Sequence, residues 1–414
     1  MLTKIQSLLL DCLKFSSESI PPDRFSTLTS ENWKDFLALA ADQRVRSILY
    51  HRIKQQKIIS LFPENIIQNL SQANKNTTTL NLFLISELNE IAKTLKENNI
   101  TLIVLKGLYL ASQVYENISL REMNDIDLLV KKEEIFESLR ILDDLGYKPT
   151  SPISISVDEL TRRHLPPFYK LNIGRVELHW TIADLVENYS VNMRDLWERS
   201  IPIEIYGIQT MGLSHEDLLL HVCLHTSYQH LFSFGLRPSM DINQLVSSFG
   251  NNLDWDRLIR TAKDWNIQRG VYLSLRLAKE LLGTEIQDKM LLELEPQSFD
   301  ETYLNMAINQ TFTDKYFAQS ASSNPIGIKI VEETNWWLKL KLFLNFLFLP
   351  KETLGNRYFV SSTSLKIYWY YLVHINDTLR RHFGKVRQLL KRQSPITKMA
   401  KRKLALVDWL SEED

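Results

Sequence analysis

The sequence predicts an α+β protein in which a small mixed-sheet core lies between an N-terminal and a C-terminal helical region. Apolar residues recur at helical spacing up to about residue 97 and again beyond residue 213. Only residues 99–212 alternate short apolar runs, typical of buried strands, with segments of helical period. We therefore expect the 414-residue chain to divide into regions 1–98, 99–212 and 213–414.

The N-terminal region is predicted to contain two or three helices. Apolar side chains follow a helical period in residues 33–40 and again in residues 82–95. Pro21, Pro22 and Pro63 interrupt the pattern and separate the helices.

The central region is predicted to hold six strands and two helices. The strands cover residues 100–105, 125–130, 168–173, 175–180, 201–205 and 208–211, and the helices cover residues 108–115 and 132–145. Gly146 closes the second helix, and turns around residues 172–174 and at Gly207 predict two hairpins.

The C-terminal region is predicted to be helical. Ser214 is a suitable N-cap, and Asp217 lies three residues later, at the position whose side chain completes a capping box. Apolar stripes predict helices over residues 218–231, 255–265, 271–282 and 368–383. The basic segment 385–403 indicates a solvated helix face or, alternatively, a phosphate-binding surface.

Composition excludes several classes of protein. The 49 basic and 49 acidic residues balance, so bulk charge gives no reason to expect a nucleic-acid or membrane partner. Cys12 and Cys223 are expected to be buried, reduced thiols. Residues 1–15 are typical of an amphipathic helix rather than a signal peptide. The most apolar segment, 336–349, ends at Pro350 and is too short to span a membrane, so a cytoplasmic protein without a membrane span is expected.

Two carboxylates stand side by side in the second predicted strand. Residues two apart on a strand point to the same face, so Asp125 and Asp127 would share one face while Ile126 and Leu128 enter the core. Carboxylates this close repel each other unless a proton or a cation lies between them, and paired oxygen ligands suit Mg²⁺. The pattern alone is weak evidence, because it arises by chance fairly often in a chain with 49 acidic residues.

Two other segments add chemistry to this pair. Lys106 and Gly107 lie between a strand and a helix, where a free helix N-terminus and a cation can hold phosphate, although an ordinary turn has the same pattern. Glu177 interrupts a buried strand and shares a face with His179, and an acid in such a place needs a partner or a metal. Together with the aspartates, Glu177 can hold the two cations of an in-line phosphoryl displacement.

These segments carry a family resemblance. The runs Leu105–Gly107, Asp125–Val130 and Val176–Trp180, with Tyr115 and Arg121 between them, resemble the bacterial uncharacterised nucleotidyltransferase family, a branch of the DNA-polymerase-β-like nucleotidyltransferase superfamily. The similarity begins near Trp33 and continues through Leu213–His221, Leu253–Asp256 and Leu277–Gly283.

The resemblance implies a nucleotidyltransferase core and a Mg²⁺- or Mn²⁺-dependent transfer of a nucleoside monophosphate from a nucleoside triphosphate (NTP), such as ATP, to a hydroxyl group. The expected catalytic and metal-binding residues are Asp125, Asp127 and Glu177, and the expected nucleotide-binding residues are Lys106, Gly107, Arg121 and His179. The acceptor is unidentified, with a small molecule or a protein favoured over nucleic acid.

The sequence departs from the superfamily in ways that keep other hypotheses open. Lys106 and Gly107 stand where well-understood members have Gly-Ser or Gly-Gly, and the spacing from Gly107 to Asp125 is longer than usual. A second hypothesis is therefore a catalytically inactive nucleotide-binding or interaction module of a biosynthetic or toxin–antitoxin-like system. A third, a polynucleotide-modifying role, would require a basic groove around the acidic site.

A few polar residues have simpler interpretations. Arg121 is expected either to contact phosphate or to order its loop. His221 and His225 lie one helical turn apart, a spacing that can bind metal, but no third ligand is evident and core or capping roles are favoured. Arg237 and Asp241 are expected to form an ion pair along one helix.

Overall fold

The structure is a computed structural model that describes residues 2–14, 20–150, 163–170, 174–183, 189–313 and 395–412, with shorter pieces between 336 and 376. Contacts divide the chain into a first unit, Met1–Ile153 with Val157–Phe312, and a second that runs mainly over Thr313–Glu412. The predicted α+β class is confirmed, because a mixed sheet stands between helices that precede and follow it along the chain. The division into three regions stays a prediction.

Five α-helices precede the sheet in the described residues, more than the two or three predicted. They are α1 Lys4–Leu13, α2 Asp23–Ser26, α3 Ser30–Asp42, α4 Arg46–Gln55 and α5 Glu64–Glu97, with a 3₁₀ turn at Ile59–Leu61. Capping boxes at Thr3 and Thr29 begin α1 and α3, because each threonine hydroxyl accepts a bond from a backbone N–H that the helix leaves free. The 34-residue α5, about 50 Å long, packs along α4.

Seven strands form one sheet in the described part of the chain, in the order β3-β4-β5-β2-β1-β7-β6. They are β1 Ile103–Val104, β2 Asp125–Leu129, β3 Lys148–Pro149, β4 Phe168–Tyr169, β5 Arg175–His179, β6 Ile201–Ile205 and β7 Ile208–Gly212. The strand predicted over residues 100–105 is shorter than expected, and residues 171–173 of the first predicted hairpin lie outside the described residues. The second hairpin is confirmed: β6 and β7 pair antiparallel around Tyr206 and Gly207, whose positive φ angles of 49° and 86° suit a two-residue turn.

Strands β2 and β5 are parallel neighbours near the middle of the sheet. Their register places Asp125 opposite Arg175, Asp127 opposite Glu177 and Leu129 opposite His179. Side chains of registered residues point to the same face, so the polar residues of both strands share one face while Ile126 and Val176 are buried on the other.

Short helices and turns connect the strands. They are α6 Lys106–Gln113, α7 Ile135–Asp144 and α8 Met193–Glu198, with 3₁₀ turns at Ile118–Leu120 and Lys132–Glu134. Gly146 follows α7 with a φ of 89°, which agrees with its predicted role at the end of that helix.

The first unit ends in a helical layer. Its helices are α9 His215–Leu224, α10 Arg237–Phe249, α11 Trp255–Asp264, α12 Gln268–Leu282, α13 Asp288–Leu294 and α14 Glu301–Thr311, with a 3₁₀ turn at Gly250–Asn252. Ser214 caps α9 as predicted, because its hydroxyl accepts a bond from the Asp217 N–H. The helix predicted over residues 218–231 is wrong at its end: α9 gives way to a π-helical turn at His225–Gln229.

In the second unit, residues 366–376 are helical, and a further helix covers Pro395–Ser411. Most of the apolar segment 336–349 and of the basic segment 385–403 lies outside the described residues. Over the described stretches, no helix combines the length and the hydropathy that crossing a membrane requires. Cys12 and Cys223 are buried free thiols, as expected.

Candidate functional site

The polar face of β2 and β5 brings two carboxylates and an imidazole together. Asp127 and Glu177 are registered neighbours on adjacent strands, and His179 follows two residues after Glu177 on the same face. One ligand atom from each of these three side chains lies within 4.8 Å of the other two. In the described residues this is the group with a geometry that could hold a metal ion.

Asp127 is held as a buried anion. Its side chain is only 7% exposed, its Oδ1 lies 3.0 Å from His179 Nε2, and its Oδ2 lies 3.6 Å from Lys106 Nζ. Burial alone would raise the pKa of Asp127, but the Lys106 charge and the bond from His179 outweigh it and hold that pKa well below its usual value. Because the carboxylate is ionised, the His179 Nε2–H is the donor of the bond between them.

At Glu177 the surroundings oppose the charged form of the carboxyl group, in contrast to Asp127. Burial, followed by the negative charge of Asp127, raises the pKa of Glu177 to about 7, although Arg175 opposes that rise. The Arg175 Nε lies 3.3 Å from one Glu177 oxygen, and His179 Nε2 lies 3.8 Å from the other. The neighbouring His179 carries no charge near neutral pH, because burial lowers its pKa to about 4. The two adjacent carboxyl groups therefore titrate as a pair, and a positive charge between them would favour the ionised form of both.

Asp125 lies apart from this group. Its Oδ2 accepts a bond of 2.8 Å from Arg175, so the guanidinium stands between Asp125 and Glu177. The three acids named from the sequence are thus neighbours on one sheet face. In this structure, however, the tight cluster contains His179, expected to contact the nucleotide, in place of Asp125.

Lys106 and Gly107 begin α6 at the edge of the same site. Lys106 has a φ of 30°, in the region that favours glycine. Its backbone is therefore strained, because lysine carries a side chain that this conformation does not easily accommodate. A Cβ on Gly107 would lie 3.4 Å from Met123 Sδ and 3.5 Å from the nearest Arg121 nitrogen, which are ordinary contacts. The surrounding protein therefore does not require glycine at this position, whereas a ligand approaching the backbone would.

Arg121 has a structural partner. Its Nε and one terminal nitrogen donate to the two oxygens of Asp241 at 2.8 and 2.9 Å, and Tyr115 donates to the same carboxylate at 2.7 Å. The predicted Arg237–Asp241 ion pair is therefore wrong: Asp241 pairs across 120 residues with Arg121, and Arg237 donates to the Glu122 carbonyl instead. The planar Arg121 guanidinium binds both carboxylate oxygens of Asp241 at once, whereas Arg237, which lies on the same helix as Asp241, makes no such pair.

A cavity of about 370 Å³ lies over these residues, a volume in the range of small-molecule sites. Among the described residues that line it, the cationic side chains are Arg44, Lys106, Arg121, Arg163, Arg175 and Arg237, and the acidic ones are Asp125, Asp127, Glu177 and Asp241. The cavity thus combines a cluster of carboxyl groups with an excess of positive charge, an arrangement suited to a cation and an anionic ligand bound together.

Part of the cavity lining comes from residues that sequence reasoning did not assign to the site. We call this part the basic-aromatic wall; it consists of Arg44, His225, His230, Phe234 and Arg237. The His230 ring stacks on Phe234 with centroids 3.9 Å apart, and His225 meets His230 edge-on at 4.3 Å. Burial holds the pKa of His225 well below its ordinary value, so it contributes an uncharged ring, in keeping with the core role favoured for it from the sequence. No local pattern in the sequence indicated this wall, because its residues come from two distant segments, Arg44 and residues 225–237.

The chain is similar to proteins that are already known. Residues 29–283 match a family that is described as "uncharacterised nucleotidyltransferase". A solution structure of the antibiotic-resistance factor ANT(2'')-Ia is similar to 47% of this chain, and the similarity covers 96% of that protein at 13% sequence identity and a TM-score of 0.33. A search of curated proteins gave no match.

Proposed function

Because the match spans more than half of its residues, the chain belongs to the uncharacterised nucleotidyltransferase family, and we propose that it transfers a nucleoside monophosphate from an NTP to a hydroxyl group of an acceptor. The observation that carries this proposal is the pairing of Asp127 with Glu177 on adjacent parallel strands, at a cavity otherwise rich in cations. Nucleotidyl transfer needs this combination, because a carboxylate-bound cation and a polyphosphate must meet at one point.

The residues fit a divalent cation. Asp127 and Glu177 offer hard oxygen ligands, the charge of Asp127 helps to raise the pKa of Glu177, and a nitrogen of His179 lies within 4.8 Å of both. Carboxylate ligands suit both Mg²⁺ and Mn²⁺. When bound, the cation would supply positive charge that neutralises the carboxylates and the phosphates and makes the acceptor hydroxyl more acidic.

The chain's own residues account for the remaining steps. Glu177, which the bound cation would keep ionised, takes the proton of the acceptor hydroxyl. The oxygen then attacks the α-phosphorus, a new O–P bond forms, the bond from the α-phosphorus to the bridging oxygen breaks, and pyrophosphate leaves. Lys106 and the free N–H groups at the start of α6 hold the phosphates, and Gly107 leaves room for them.

Two side chains position this machinery. His179 donates to Asp127 and so fixes the direction of its carboxylate. Arg175 bridges Asp125 and Glu177, so Asp125 can join a cation only when Arg175 releases it. The freed guanidinium would then face the phosphates. On this proposal Arg175 neutralises the acids before substrate binds and the phosphates afterwards.

The proposal is tested by label transfer. The purified chain is incubated with Mg²⁺, cell extract and an NTP labelled either at the α- or at the γ-phosphorus. Nucleotidyl transfer moves the α-label onto the acceptor and releases the γ-label in pyrophosphate, whereas a kinase moves the γ-label onto the acceptor. We expect Asp127→Asn to lower α-label transfer about 100-fold or more, because the cation loses its main anionic ligand.

The control is Asp144→Asn, which removes an exposed carboxylate that pairs with Arg140 and does not line the cavity. It should transfer label as the wild type does. Equal transfer by wild type and Asp127→Asn would defeat the proposal. NTP binding that is indifferent to Mg²⁺ and leads to no turnover would instead support the catalytically inactive module, which the departure at Lys106 motivates.

A further inference from the structure

Two arginines of the basic-aromatic wall face the cavity without a carboxylate of their own. The guanidinium carbons of Arg44 and Arg237 lie 5.8 and 5.6 Å from the centre of the same Phe234 ring. In the part of the chain that the structure describes, neither takes part in an ion pair, whereas Lys106, Arg121 and Arg175 each have one. Phe234 therefore holds two like charges near each other through its ring face.

The closeness of these two positive charges destabilises the protein when no ligand is bound. Desolvation, followed by the charges of Arg121 and Arg44, lowers the pKa of Arg237 to about 10, so its environment opposes the charged form. The guanidinium keeps its charge at neutral pH all the same. Positive charges that repel each other in a concave site are stabilised by an anion, and a planar guanidinium is the side chain best suited to phosphate oxygens.

The backbone that carries the wall is strained. After the π-helical turn His225–Gln229, Leu231 and Phe232 have φ angles of 44° and 59°, in the left-handed region that bulky residues rarely adopt. Gly235 then has a φ of 73°, and a Cβ there would lie 3.0 Å from the Gln43 Cα. This close crossing brings Arg44, which lies two residues after α3, beside the loop. Strain of this kind persists where a site requires it.

We propose that Arg44 and Arg237 form a second anion subsite, distinct from the phosphate-binding start of α6, which binds a phosphoryl group of a substrate. This inference rests on the proposed nucleotidyl transfer and deepens it. Two substrates offer the required chemistry: the far end of the NTP triphosphate, or a phosphate group carried by the acceptor. Lys106 and α6 lie beside Asp127, so the subsite extends the anion-binding surface to the basic-aromatic wall of the cavity.

The test compares Arg44→Gln and Arg237→Gln with Arg276→Gln. Arg276 is a matched control, because its guanidinium lies 5.9 and 5.8 Å from the rings of Tyr272 and Phe299 but it does not line the cavity. Calorimetric titrations use three probes: inorganic tripolyphosphate, a non-hydrolysable NTP analogue with Mg²⁺, and inorganic phosphate added to protein saturated with that analogue. Arg44→Lys and Arg237→Lys, which keep the charge without the planar fork, serve wherever a glutamine variant does not fold.

If the subsite binds the NTP, the cavity variants lose affinity for tripolyphosphate and for the analogue by about 10- to 100-fold. If it binds the acceptor, analogue affinity is unchanged, the saturated wild type binds phosphate, and the variants lose that binding by a similar factor. In both cases the free glutamine variants melt at or above the wild-type temperature, because the repulsion between the two arginines is relieved. Affinities within twofold of wild type for all three probes would overturn the inference.

These titrations separate two kinds of failure. Tripolyphosphate and phosphate binding require neither turnover nor an intact Asp127, so they report on the subsite even if no label transfer is found. Absence of α-label transfer with normal arginine-dependent tripolyphosphate binding would reject the proposed reaction and keep the subsite. Normal α-label transfer, together with tripolyphosphate binding that does not depend on the two arginines, would keep the proposed reaction and reject the subsite.

Discussion

Glu177 offers the sharpest prediction, because its environment opposes its own charge. The perturbation is Glu177→Gln, which keeps the shape of the side chain and removes its proton equilibrium. In wild type without divalent cations, the folded chain holds a proton on Glu177 up to a pKa of about 7, against an ordinary value of 4.5. Between these two values the folded state binds more protons than the unfolded state, so wild-type stability falls as pH rises and then levels off above pH 7.

The magnitude follows from the size of the shift. About 1.4 kcal/mol per pKa unit gives a cost on the order of 3 kcal/mol above pH 7. For a unit of roughly 300 residues, an unfolding entropy of about 2 cal/mol/K per residue converts that cost into about 5 °C. Glu177→Gln should therefore melt about 5 °C above wild type at pH 8 in EDTA, and the difference should shrink toward zero as pH falls to about 4.5.

The assay is thermal unfolding of both proteins from pH 4.5 to 8.5, first in EDTA and then with Mg²⁺. Mg²⁺ should stabilise wild type more at pH 8 than at pH 5.5, because the cation replaces the proton, and it should stabilise the variant less. Glu216→Gln is the matched control: Glu216 is also buried and pairs with Arg257, but its pKa is lowered, so its variant should be less stable than wild type at pH 8. A difference between Glu177→Gln and wild type that does not vary with pH would refute the reasoning.

Three further substitutions test neighbouring parts of the site. Gly107→Ala should leave the melting temperature unchanged but weaken NTP binding on the order of 10-fold, measured by calorimetry, because its methyl group takes up ligand space rather than protein space. Asp241→Asn should lower the free energy of unfolding in urea by about 3–5 kcal/mol, because it leaves Arg121 buried without its anion. His179→Leu should lower kcat about 10- to 100-fold with a smaller change in KM, since Asp127 loses the bond that orients it, and His179→Gln should restore part of the loss.

Each of these has a control or an opposing outcome. Gly270→Ala should destabilise the fold, because its Cβ would lie 2.3 Å from the Tyr228 ring, and normal NTP binding by Gly107→Ala would remove the reason for glycine there. A loss below about 1 kcal/mol for Asp241→Asn, as expected for a solvated pair, would show that the Arg121 pair is not buried as described. For His179, equal kcat in the leucine variant would exclude a positioning role.

Local pattern was enough to place the acids. Alternating polar and apolar residues predicted the strand that carries Asp125 and Asp127 and the strand that carries Glu177 and His179, and both strands are present. What the pattern does not contain is the pairing of those strands. The register that puts Asp127 beside Glu177, and Arg175 beside Asp125, is set by the packing of the whole sheet.

Contacts between distant segments explain the remaining misses. Helical spacing predicted an Arg237–Asp241 pair, but Asp241 meets Arg121 because Arg121 projects from the loop before β2, 120 residues away. Similarly, the continuous apolar pattern after Ser214 gave no sign of the π-helical turn that ends α9. The wall formed by Arg44, Phe234 and Arg237 depends on a backbone crossing at Gly235, which no local rule predicts.

The most direct test of the central claim is a crystal of the protein soaked with Mn²⁺ and a non-hydrolysable NTP analogue, measured at the manganese absorption edge. The account predicts an anomalous peak within coordination distance of Asp127 and Glu177, with the α-phosphate oxygens beside it and no peak at that place in Asp127→Asn. An analogue bound elsewhere, or a cavity that contains nucleotide but no manganese between these two carboxylates, would contradict it.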